Sequence, residues 1–323
     1  MGATSTRFEP SICLDLTVEL EKAGFEAAWF GDHFLPWFHI GAHCPQAWVW
    51  MASALERTDK IMIGSDVTVP MFKYHPAVVG QAYATMANMY PGRILLGVGT
   101  GEAINEAPFI SSWPKWSVRA KTLIEAVELL RRYWNAEQYF TFKGEYITVN
   151  GEIFCYDKPK QTIPIYWSAL GPKSAILAGK HGDHLMTSGT PEFLRDTILP
   201  NFEKGARSIG RDVSSIEKCL FLETGYGDKK ALIGVYRNSI AGSLVPENFN
   251  EPDPRKIGER ARKLDDEYIA SRTLLCTTDE CLGAIEKYRK AGATQLIVSD
   301  YSPNPRDTIR FFGEELIPQL GGA

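Results

Sequence analysis

The sequence predicts an α/β fold, a (β/α)8 TIM barrel with insertions, on three observations. Short apolar runs recur along the whole chain of 323 residues, and a loop and a segment of helical periodicity follow them. The runs are apolar almost throughout, which is typical of parallel strands that are buried on both faces. None of them leads into a well-formed GxGxxG helix start, which disfavours a doubly wound nucleotide-binding sheet. We therefore expect one barrel domain over residues 1–323.

Eight apolar segments are the candidate barrel strands. They are residues near 2–5, 27–31, 61–65, 93–99, 163–168, 184–188, 218–225 and 295–299. Between them, the apolar residues of 117–134 recur at intervals of three and four, as in an amphipathic helix. Pro76 suits the first turn of a helix over 76–89, because its missing N–H needs no partner there.

Two insertions account for a length roughly 70 residues above the ~250 of a typical barrel. Residues near 137–156 predict a β-hairpin with its turn at Lys143-Gly144. The segment near 242–256 is rich in Pro and Asn and has no clear period. It therefore predicts a loop over one end of the barrel.

The composition excludes several classes of partner. With a net charge of -4 and no basic run, neither nucleic acid nor an anionic membrane surface is an expected partner. The N-terminal residues lack the pattern of a signal peptide, and no apolar stretch approaches about 18 residues, so we expect a cytoplasmic protein. The six cysteines form no CxxC pair, and most are expected to be reduced and buried.

Polar residues cluster where the predicted strands end, and the reactive groups of such barrels lie at these carboxyl ends. The residues that follow successive strands are Asp32 and His33, Asp66, GTGEAINE (99–106), SALGP (168–172) and TSGT (187–190). Because the strands are expected to be parallel, all of these groups should converge on one site that binds a small molecule.

His33 and Glu102 are the candidate acid–base residues of this site. A neutral imidazole can accept a proton near neutral pH, and a neighbouring carboxylate can hold its tautomer. Position alone leaves His33 open to a purely structural role. Glu102 is equally well explained as a carboxylate near a helix N-terminus, where the helix dipole favours negative charge. The residues alone leave these alternatives open.

Two glycine-containing turns and one histidine cluster admit other functions. The glycines of GVGTGE (97–102) let the backbone approach a flat or anionic ligand, but the Lys-Ser/Thr of a phosphate loop is absent. ALGPKSA (169–175) is either a phosphate site at a helix N-terminus or an ordinary strand-to-helix turn. His39, His43 and Cys44 lie close in sequence without a helical framework, so we expect no metal site.

Several long stretches resemble the luciferase-like superfamily, and within it the dehydrogenases that use coenzyme F420, an 8-hydroxy-5-deazaflavin. The resemblance is strongest in DHFLPW (32–37), QAWVWM (46–51), YHPAVVGQAYATMANMYPGRILLGVGTGEAINE (74–106) and LGPKSAILAGKHGDHLMT (170–187). The chain is most similar to the dehydrogenases of secondary alcohols and is also similar to those of glucose 6-phosphate. The resemblance implies a barrel, a homodimer and a deazaflavin across the carboxyl end of the barrel. No metal is required, because the coenzyme itself carries hydride.

The resemblance also implies roles for single residues. His33 is implied as the base that removes the proton of the substrate hydroxyl while hydride passes to the deazaflavin. Trp37 and Glu102 are implied to shape and polarise the pocket, with Glu102 as a proton donor to the ring. The relatives carry a cis peptide bond at the position of Asp66-Val67. The residues implied to contact the coenzyme are Asp32, Asp66, Val67, Thr100, Gly101, Asn105, Ser168, Ala169, Leu170, Gly171, Thr187, Ser188 and Gly189.

Departures from the relatives bear on the substrate. The sugar-phosphate enzymes hold the phosphate with two Lys and one Arg, of which this sequence keeps Arg272. Thr197 replaces one Lys, and the region of Asn248 and Phe249 replaces the other. The loss of two charged donors forfeits several kcal/mol, at ~1.5–3 kcal/mol for each charged hydrogen bond. We therefore expect oxidation of a secondary alcohol to a ketone, with Trp37, Thr197, Phe249 and Arg272 around the substrate.

Three alternatives remain beside the alcohol dehydrogenase. Two are enzymes that use the same coenzyme, a sugar-phosphate dehydrogenase with rearranged anchors and a methylenetetrahydropterin reductase. The third belongs to a different class, a deazaflavin-binding protein without activity. Bleaching of F420 by an alcohol or a sugar would exclude the third alternative.

Overall fold

The computed structural model describes residues 2–3, 6–276 and 278–320. The strands are β1 (Gly2–Ala3), β2 (Ala27–Phe30), β3 (Met62–Thr68), β4 (Ile94–Val98), β5 (Phe140–Lys143), β6 (Thr148–Ile153), β7 (Ile165–Ser168), β8 (His184–Ser188), β9 (Lys218–Tyr226), β10 (Leu274–Cys276) and β11 (Gln295–Asp300). The helices are α1 (Pro10–Lys22), α2 (Ala47–Glu56), α3 (Pro76–Met89), α4 (Ala103–Glu106), α5 (Trp116–Asn135), α6 (Pro172–His181), α7 (Pro191–Phe193), α8 (Leu199–Arg207), α9 (Lys229–Arg237), α10 (Pro254–Ala261), α11 (Asp266–Arg272), α12 (Thr278–Lys290), α13 (Pro305–Phe311) and α14 (Ile317–Leu320).

Eight of these strands form a closed barrel. Around the ring they follow the order β11, β1, β2, β3, β4, β7, β8 and β9, and β9 closes the ring by pairing with both β8 and β11. Each neighbouring pair in the ring is parallel. All carboxyl ends therefore open at the same end of the barrel, and the predicted fold class is confirmed.

The predicted strands match the observed ones within a few residues, with one addition. β3 continues to Thr68, beyond the predicted end at residue 65. Of the predicted strand near 2–5, residues 4 and 5 lie outside the described residues. The sequence does not predict β10, whose three residues pair with the end of β9. A strand of this length carries no periodicity that a sequence pattern could show.

Large side chains fill the barrel interior below the strand ends. They are Trp29, Leu95, Tyr166, Met186, Cys219 and Ile297. A glycine is required at Gly64, because a Cβ there would lie 2.5 Å from Cε3 of Trp29. Val67 and Phe221 pack against this layer and also line a cavity, so the space for a ligand lies at the carboxyl ends.

The outer helices form the main hydrophobic core with the other face of the sheet. On α5, the predicted amphipathic helix, Leu123, Ala126 and Leu130 are fully buried. Truncation of a leucine such as Leu130 to alanine costs about 2–5 kcal/mol at sites of this kind. Helices α6 and α8 touch backbone to backbone, because a Cβ on Gly205 would lie 2.1 Å from the carbonyl oxygen of Ile176.

The first insertion contains the predicted hairpin. β5 and β6 pair antiparallel, and the N–H of Gly144 donates to the carbonyl of Ile147 at 2.8 Å. The carboxylate of Glu125 on α5 accepts backbone N–H bonds from residues 145–147 at 2.8–2.9 Å. These bonds fasten the turn to the outer helices.

The second insertion is helical, which corrects the predicted loop at 242–256. The segment contains 3-10 helices at Ala241–Leu244 and Pro246–Asn250 and the start of α10. Asn248 is fully buried, and its side chain donates to the carbonyl of Gly242 at 2.8 Å. Short turns held by such bonds carry no hydrophobic period, which is why the sequence pattern indicates a loop.

Most of the described cysteines are free thiols, and no described helix is suited to span a membrane. Of the five cysteines whose side chains are described, Cys13, Cys44, Cys155 and Cys219 carry free thiols and Cys281 is disulfide-bonded. Within the described ranges, none of the helices has the length and apolar character that a membrane span needs.

Candidate active site

A cavity of about 870 Å³ opens at the carboxyl ends of the barrel strands. The predicted site residues that line it are His33, Trp37, Asp66, Val67, Glu102, Ser168, Leu170, Ser188, Gly189, Phe249 and Arg272. Its volume lies within the ~300–1,000 Å³ of small-molecule and cofactor sites. The barrel therefore brings together groups that are far apart in sequence.

His33 lies in the cavity wall just after β2, and the polar contacts of its ring are made at Nδ1. Its Nδ1 is 3.2 Å from the carbonyl oxygen of Leu35 and 3.2 Å from Nδ2 of Asn105. A proton on Nδ1 that is donated to Leu35 leaves Nε2 as the acceptor. Burial lowers the pKa of His33 to about 4, so the ring is neutral at pH 7. His33 can therefore accept a proton from a group in the cavity.

Asn105 connects the loops that follow β2 and β4. Its Oδ1 accepts the backbone N–H of Phe34 at 2.9 Å and that of Leu35 at 3.4 Å. Its Nδ2 donates to Oε2 of Glu102 at 3.3 Å. Asn105, predicted as a coenzyme contact, lies behind the cavity lining and orients the two residues that face it.

Glu102 faces the cavity and makes no cap to the helix that it precedes. It is the residue before α4, a helix of four residues, and its side chain accepts none of the helix N–H bonds. Burial raises the pKa of its carboxyl to about 7. Of the two alternatives that the sequence leaves open, the contacts favour a group of the site over a helix cap.

A second carboxyl lies directly behind Glu102. Oε2 of Glu106 accepts the backbone N–H of Glu102 at 2.7 Å, and burial raises the pKa of Glu106 to about 8. Gly101 is required beside it, because its φ is +80° and a Cβ there would lie 2.8 Å from Oε2 of Glu106. The carbonyl of Thr100 accepts Nε of Arg119 at 3.1 Å. Glu106 is not among the predicted site residues, although its position four residues after Glu102, at the end of GTGEAINE, was a usable signal.

Asp32 forms a buried ion pair away from the cavity lining. Its Oδ1 accepts Nζ of Lys73 at 3.1 Å and the hydroxyl of Tyr74 at 3.1 Å. Lys73 also donates to the backbone carbonyl of Asp32 at 3.0 Å. This pair holds the strand end that carries His33. The sequence contains no local signal for the partnership of Asp32 with Lys73.

The peptide bond Asp66-Val67 is cis, as the resemblance implies. Burial raises the pKa of Asp66 well above its usual value, and its Oδ1 is buried without a hydrogen-bond partner among the described residues. The register of β3 against β4 shifts between Ser65 and Thr68, so this peptide bond lies in a β-bulge. Gly99 lies against the bulge, because a Cβ there would be 2.7 Å from Cγ2 of Val67. Crowding by Val67 thus explains this glycine of GVGTGE without a phosphate ligand.

The remaining predicted residues lie behind the lining. Thr187 is buried and donates to the carbonyl of Ala169 at 2.7 Å. Gly171 precedes α6, and its N–H donates to Oγ of Ser174 at 3.2 Å, so this N–H is already bonded within the turn. Thr197 belongs to a π-helical turn over Leu194–Ile198 and is absent from the cavity lining.

His39 and His43 lie outside the main cavity. His39 is exposed and lines a separate pocket of about 240 Å³. The backbone N–H of His43 donates to the carbonyl of Thr6 at 2.9 Å.

The fold and the site define the class of the protein: the chain belongs to the luciferase-like monooxygenase family, whose family model matches residues 2–295. The predicted superfamily is thereby confirmed. The F420-dependent glucose-6-phosphate dehydrogenase of Segniliparus rotundus is 36% identical over 98% of this chain and 96% of that protein. An F420-dependent glucose-6-phosphate dehydrogenase of Rhodococcus jostii is 37% identical over 99% and 97%.

Among solved structures, an F420-dependent secondary alcohol dehydrogenase in complex with an F420-acetone adduct superimposes with a TM-score of 0.95. It is 36% identical, and the match covers 99% of this chain and 97% of that one. The coenzyme F420-dependent tetrahydromethanopterin reductase of Methanopyrus kandleri, with a TM-score of 0.77 and 19% identity, shares the fold.

Proposed function

We propose that the protein is a coenzyme F420-dependent dehydrogenase that oxidises a secondary alcohol to a ketone. Relatives named as F420-dependent dehydrogenases, similar over nearly the whole chain, support the coenzyme and the reaction class. The observation that carries the proposal is the pair His33 and Glu102 on the cavity lining, linked by Asn105, which accepts the backbone N–H of Phe34 beside His33 and donates to Glu102.

The residues of the cavity fit a deazaflavin. The unpartnered Oδ1 of Asp66 suits a ring system whose edge carries N–H and carbonyl groups. Val67 and the half-exposed Leu170 add apolar surface for the faces of a flat ring. When bound, F420 supplies a carbon atom that accepts hydride.

His33 is the base of the proposed reaction. Oxidation of the alcohol removes a hydride from its carbon and a proton from its oxygen, and the neutral Nε2 of His33 takes that proton. The carbonyl of Leu35 stabilises the resulting imidazolium through Nδ1. The carboxyl of Glu102, with a pKa of about 7, holds a proton on the other of the two loops that Asn105 connects.

Trp37 supports an alcohol with alkyl groups as the substrate. It lines the cavity, and its ring meets the edge of Phe249 at a centroid distance of 5.4 Å. Ile104 and Ile257 pack against Trp37 from behind. This wall is apolar and close in sequence to the base, which suits the carbon substituents of a secondary alcohol.

A sugar-phosphate dehydrogenase is the second candidate, because three cations line the cavity, Arg7, Arg272 and Lys287. Arg7 is paired with Asp300, whereas Arg272 has no ion-pair partner in the described part of the chain. The names of the relatives from Segniliparus and Rhodococcus favour the same candidate. Thr197 speaks against it, because it lies outside the cavity lining and supplies no charge.

One experiment tests both candidates. Purified protein is mixed with oxidised F420 and with a panel of secondary alcohols and sugar phosphates, and the deazaflavin absorbance is followed. Bleaching by the alcohols is the expected result. Bleaching by glucose 6-phosphate alone would transfer the proposal to the second candidate, and no bleaching by either class would exclude both.

We also propose that the protein is a cytoplasmic homodimer. Phe34 and Phe109, both exposed, meet edge to face at 4.7 Å, and Val49 and Val78 are 69% and 51% exposed. Such apolar surface supports burial against a second copy. Four of the five cysteines whose side chains are described carry free thiols and one, Cys281, is disulfide-bonded, and this predominance of free thiols supports a reducing compartment. Light scattering after size exclusion should give about twice the chain mass of 36.1 kDa; a monomer mass would contradict the dimer.

A further inference from the structure

A second polar cluster lines the cavity across the barrel from Asp66. Glu223 lies on β9, and β9 stands four places from β3 in the ring of eight strands, which places the two residues on opposite walls. Tyr301 follows β11, and Tyr236 lies on α9, which precedes the second insertion. All three side chains line the cavity, and none of them has a part in the proposed hydride transfer.

The cluster is rigidly built. The rings of Tyr236 and Tyr301 meet edge to face, with centroids 4.8 Å apart and an angle of 78°. The guanidinium of Arg7 lies 5.9 Å from the centroid of Tyr301 and donates to the carbonyls of Asp300 at 2.9 Å and Ser302 at 2.8 Å. Arg7 is therefore bonded to backbone oxygens and paired with the Asp300 carboxylate, and among the described residues the Glu223 carboxyl has no ion pair.

Two polar atoms of the cluster lack partners. Oε2 of Glu223 and the hydroxyl of Tyr236 are buried and make no hydrogen bond to any described residue. A buried polar group without a partner is costly, so such groups in a cavity wall indicate a ligand that completes them. Burial raises the pKa of Glu223 to about 7, and the bond from the hydroxyl of Tyr301 opposes this rise in part. A carboxyl accepts hydrogen bonds through its carbonyl oxygen whether or not it holds a proton.

A hydroxyl group of the ligand satisfies both atoms. Its O–H can donate to Glu223, and its oxygen can accept from the phenol of Tyr236. An ammonium ligand is disfavoured, because Arg7 and Arg272 already line the same cavity with positive charge. Ser243 from the second insertion and Tyr268 from α11 add further hydroxyls to the lining.

We infer that Glu223, with Tyr236 and Tyr301, is a specificity-determining residue that binds a second hydroxyl of the substrate, so that the substrate is a diol or polyol. This inference rests on the proposed function, in which His33 takes the proton from the first hydroxyl. The part of the cavity wall that contains His33 binds the hydroxyl that is oxidised, and the part that contains Glu223 binds the second hydroxyl.

The test compares 2,3-butanediol with 2-butanol, which differ by one hydroxyl. We expect kcat/KM of the wild type to be about two- to tenfold higher for the diol, because one net hydrogen bond contributes about 0.5–1.5 kcal/mol. Glu223→Leu should abolish this preference, mainly through a higher KM for the diol. Glu223→Gln, which keeps one acceptor oxygen, should restore part of it. Glu128→Gln, on an exposed part of α5, is the matched control.

Binding to the protein loaded with reduced F420, measured by calorimetry, separates this inference from the proposed function. No hydride can pass from an alcohol to a reduced coenzyme, so the affinity for the diol is read without turnover. Tighter binding of the diol that Glu223→Leu removes supports the inference, even if no alcohol bleaches F420. Equal binding of the two alcohols, or a loss of F420 affinity in Glu223→Leu, overturns it while oxidation of 2-butanol keeps the proposed function.

Discussion

The side-chain nitrogen of Asn105 lies 3.2 Å from Nδ1 of His33. The same amide bonds Glu102 and two backbone N–H groups of the loop after β2, so one residue sets the position of two others. We expect Asn105→Ala to lower turnover about 10–100-fold, as loss of an orienting partner does at other sites. The measurement is the rate of F420 bleaching under saturating alcohol.

Asn88→Ala is the matched control for this change. The side chain of Asn88 also makes three hydrogen bonds, to the backbone of residues 157, 158 and 160, on a surface away from the cavity. Both variants should lose about 1–3 kcal/mol of stability, whereas turnover should fall in Asn105→Ala alone. Equal turnover in the two variants would contradict the positioning role.

Removal of the imidazole of His33 tests the proposed base. We expect His33→Ala to keep F420 affinity, because the change removes a proton acceptor and leaves the coenzyme wall intact. Turnover should fall about 10²–10⁴-fold. His39→Ala, at an exposed histidine outside the main cavity, serves as the comparison. Near-normal turnover in His33→Ala would remove it from the mechanism.

The carboxyl of Glu106 should make stability depend on pH. Burial raises its pKa from 4.5 to about 8, so the folded protein keeps a proton that the unfolded chain loses. The stability from this group is complete below the unfolded pKa and is lost as the pH rises through the folded one. We expect the melting temperature of Glu106→Gln to rise relative to wild type between about pH 5 and pH 9. The same difference in melting temperature between Glu106→Gln and wild type at both pH values would contradict the raised pKa of Glu106.

The contact between Gly99 and Val67 should be visible in coenzyme affinity. A methyl group on Gly99 would lie 2.7 Å from Cγ2 of Val67, so Gly99→Ala must push the bulge into the cavity. We expect weaker F420 binding, measured by titration of the deazaflavin absorbance. Val67→Ala in the same chain should recover part of the affinity, since it removes the clashing methyl. No recovery in the double variant would show that the effect arises elsewhere.

Apolar periodicity was enough to predict the barrel and the end of it that carries the site. The strands and α3 and α5 follow patterns that depend on residues close in sequence. The three-residue β10 and the short turns around Asn248 have no such pattern, because backbone pairing and single side-chain bonds define them. Their positions depend on tertiary context that a local pattern does not contain.

The candidate site divides in the same way. His33 and Glu102 follow the carboxyl ends of strands, and the barrel topology alone predicts that residues at these positions lie at the ligand site. Lys73 and Glu106 escape prediction because their importance lies in partners chosen by the fold, Asp32 and the N–H of Glu102. Glu223 did leave a signal, a carboxyl inside the apolar run KCLFLETG, and a buried charge in such a strand calls for an explanation.

The second insertion and the helices α9, α10 and α11 around it share a small core, formed by Tyr236, Ala241, Ala261 and Ile269 with Tyr301 of the barrel. Ser243 and Pro246 of the insertion line the cavity without belonging to this core, so these positions can change while the packing and the barrel strands stay as they are. In evolutionary terms, the barrel with its reacting groups is the inherited part, and the insertion over the cavity is the part that is free to change. Descendants of one ancestor could thus come to accept different alcohols through substitutions in the insertion, with His33 and Glu102 retained.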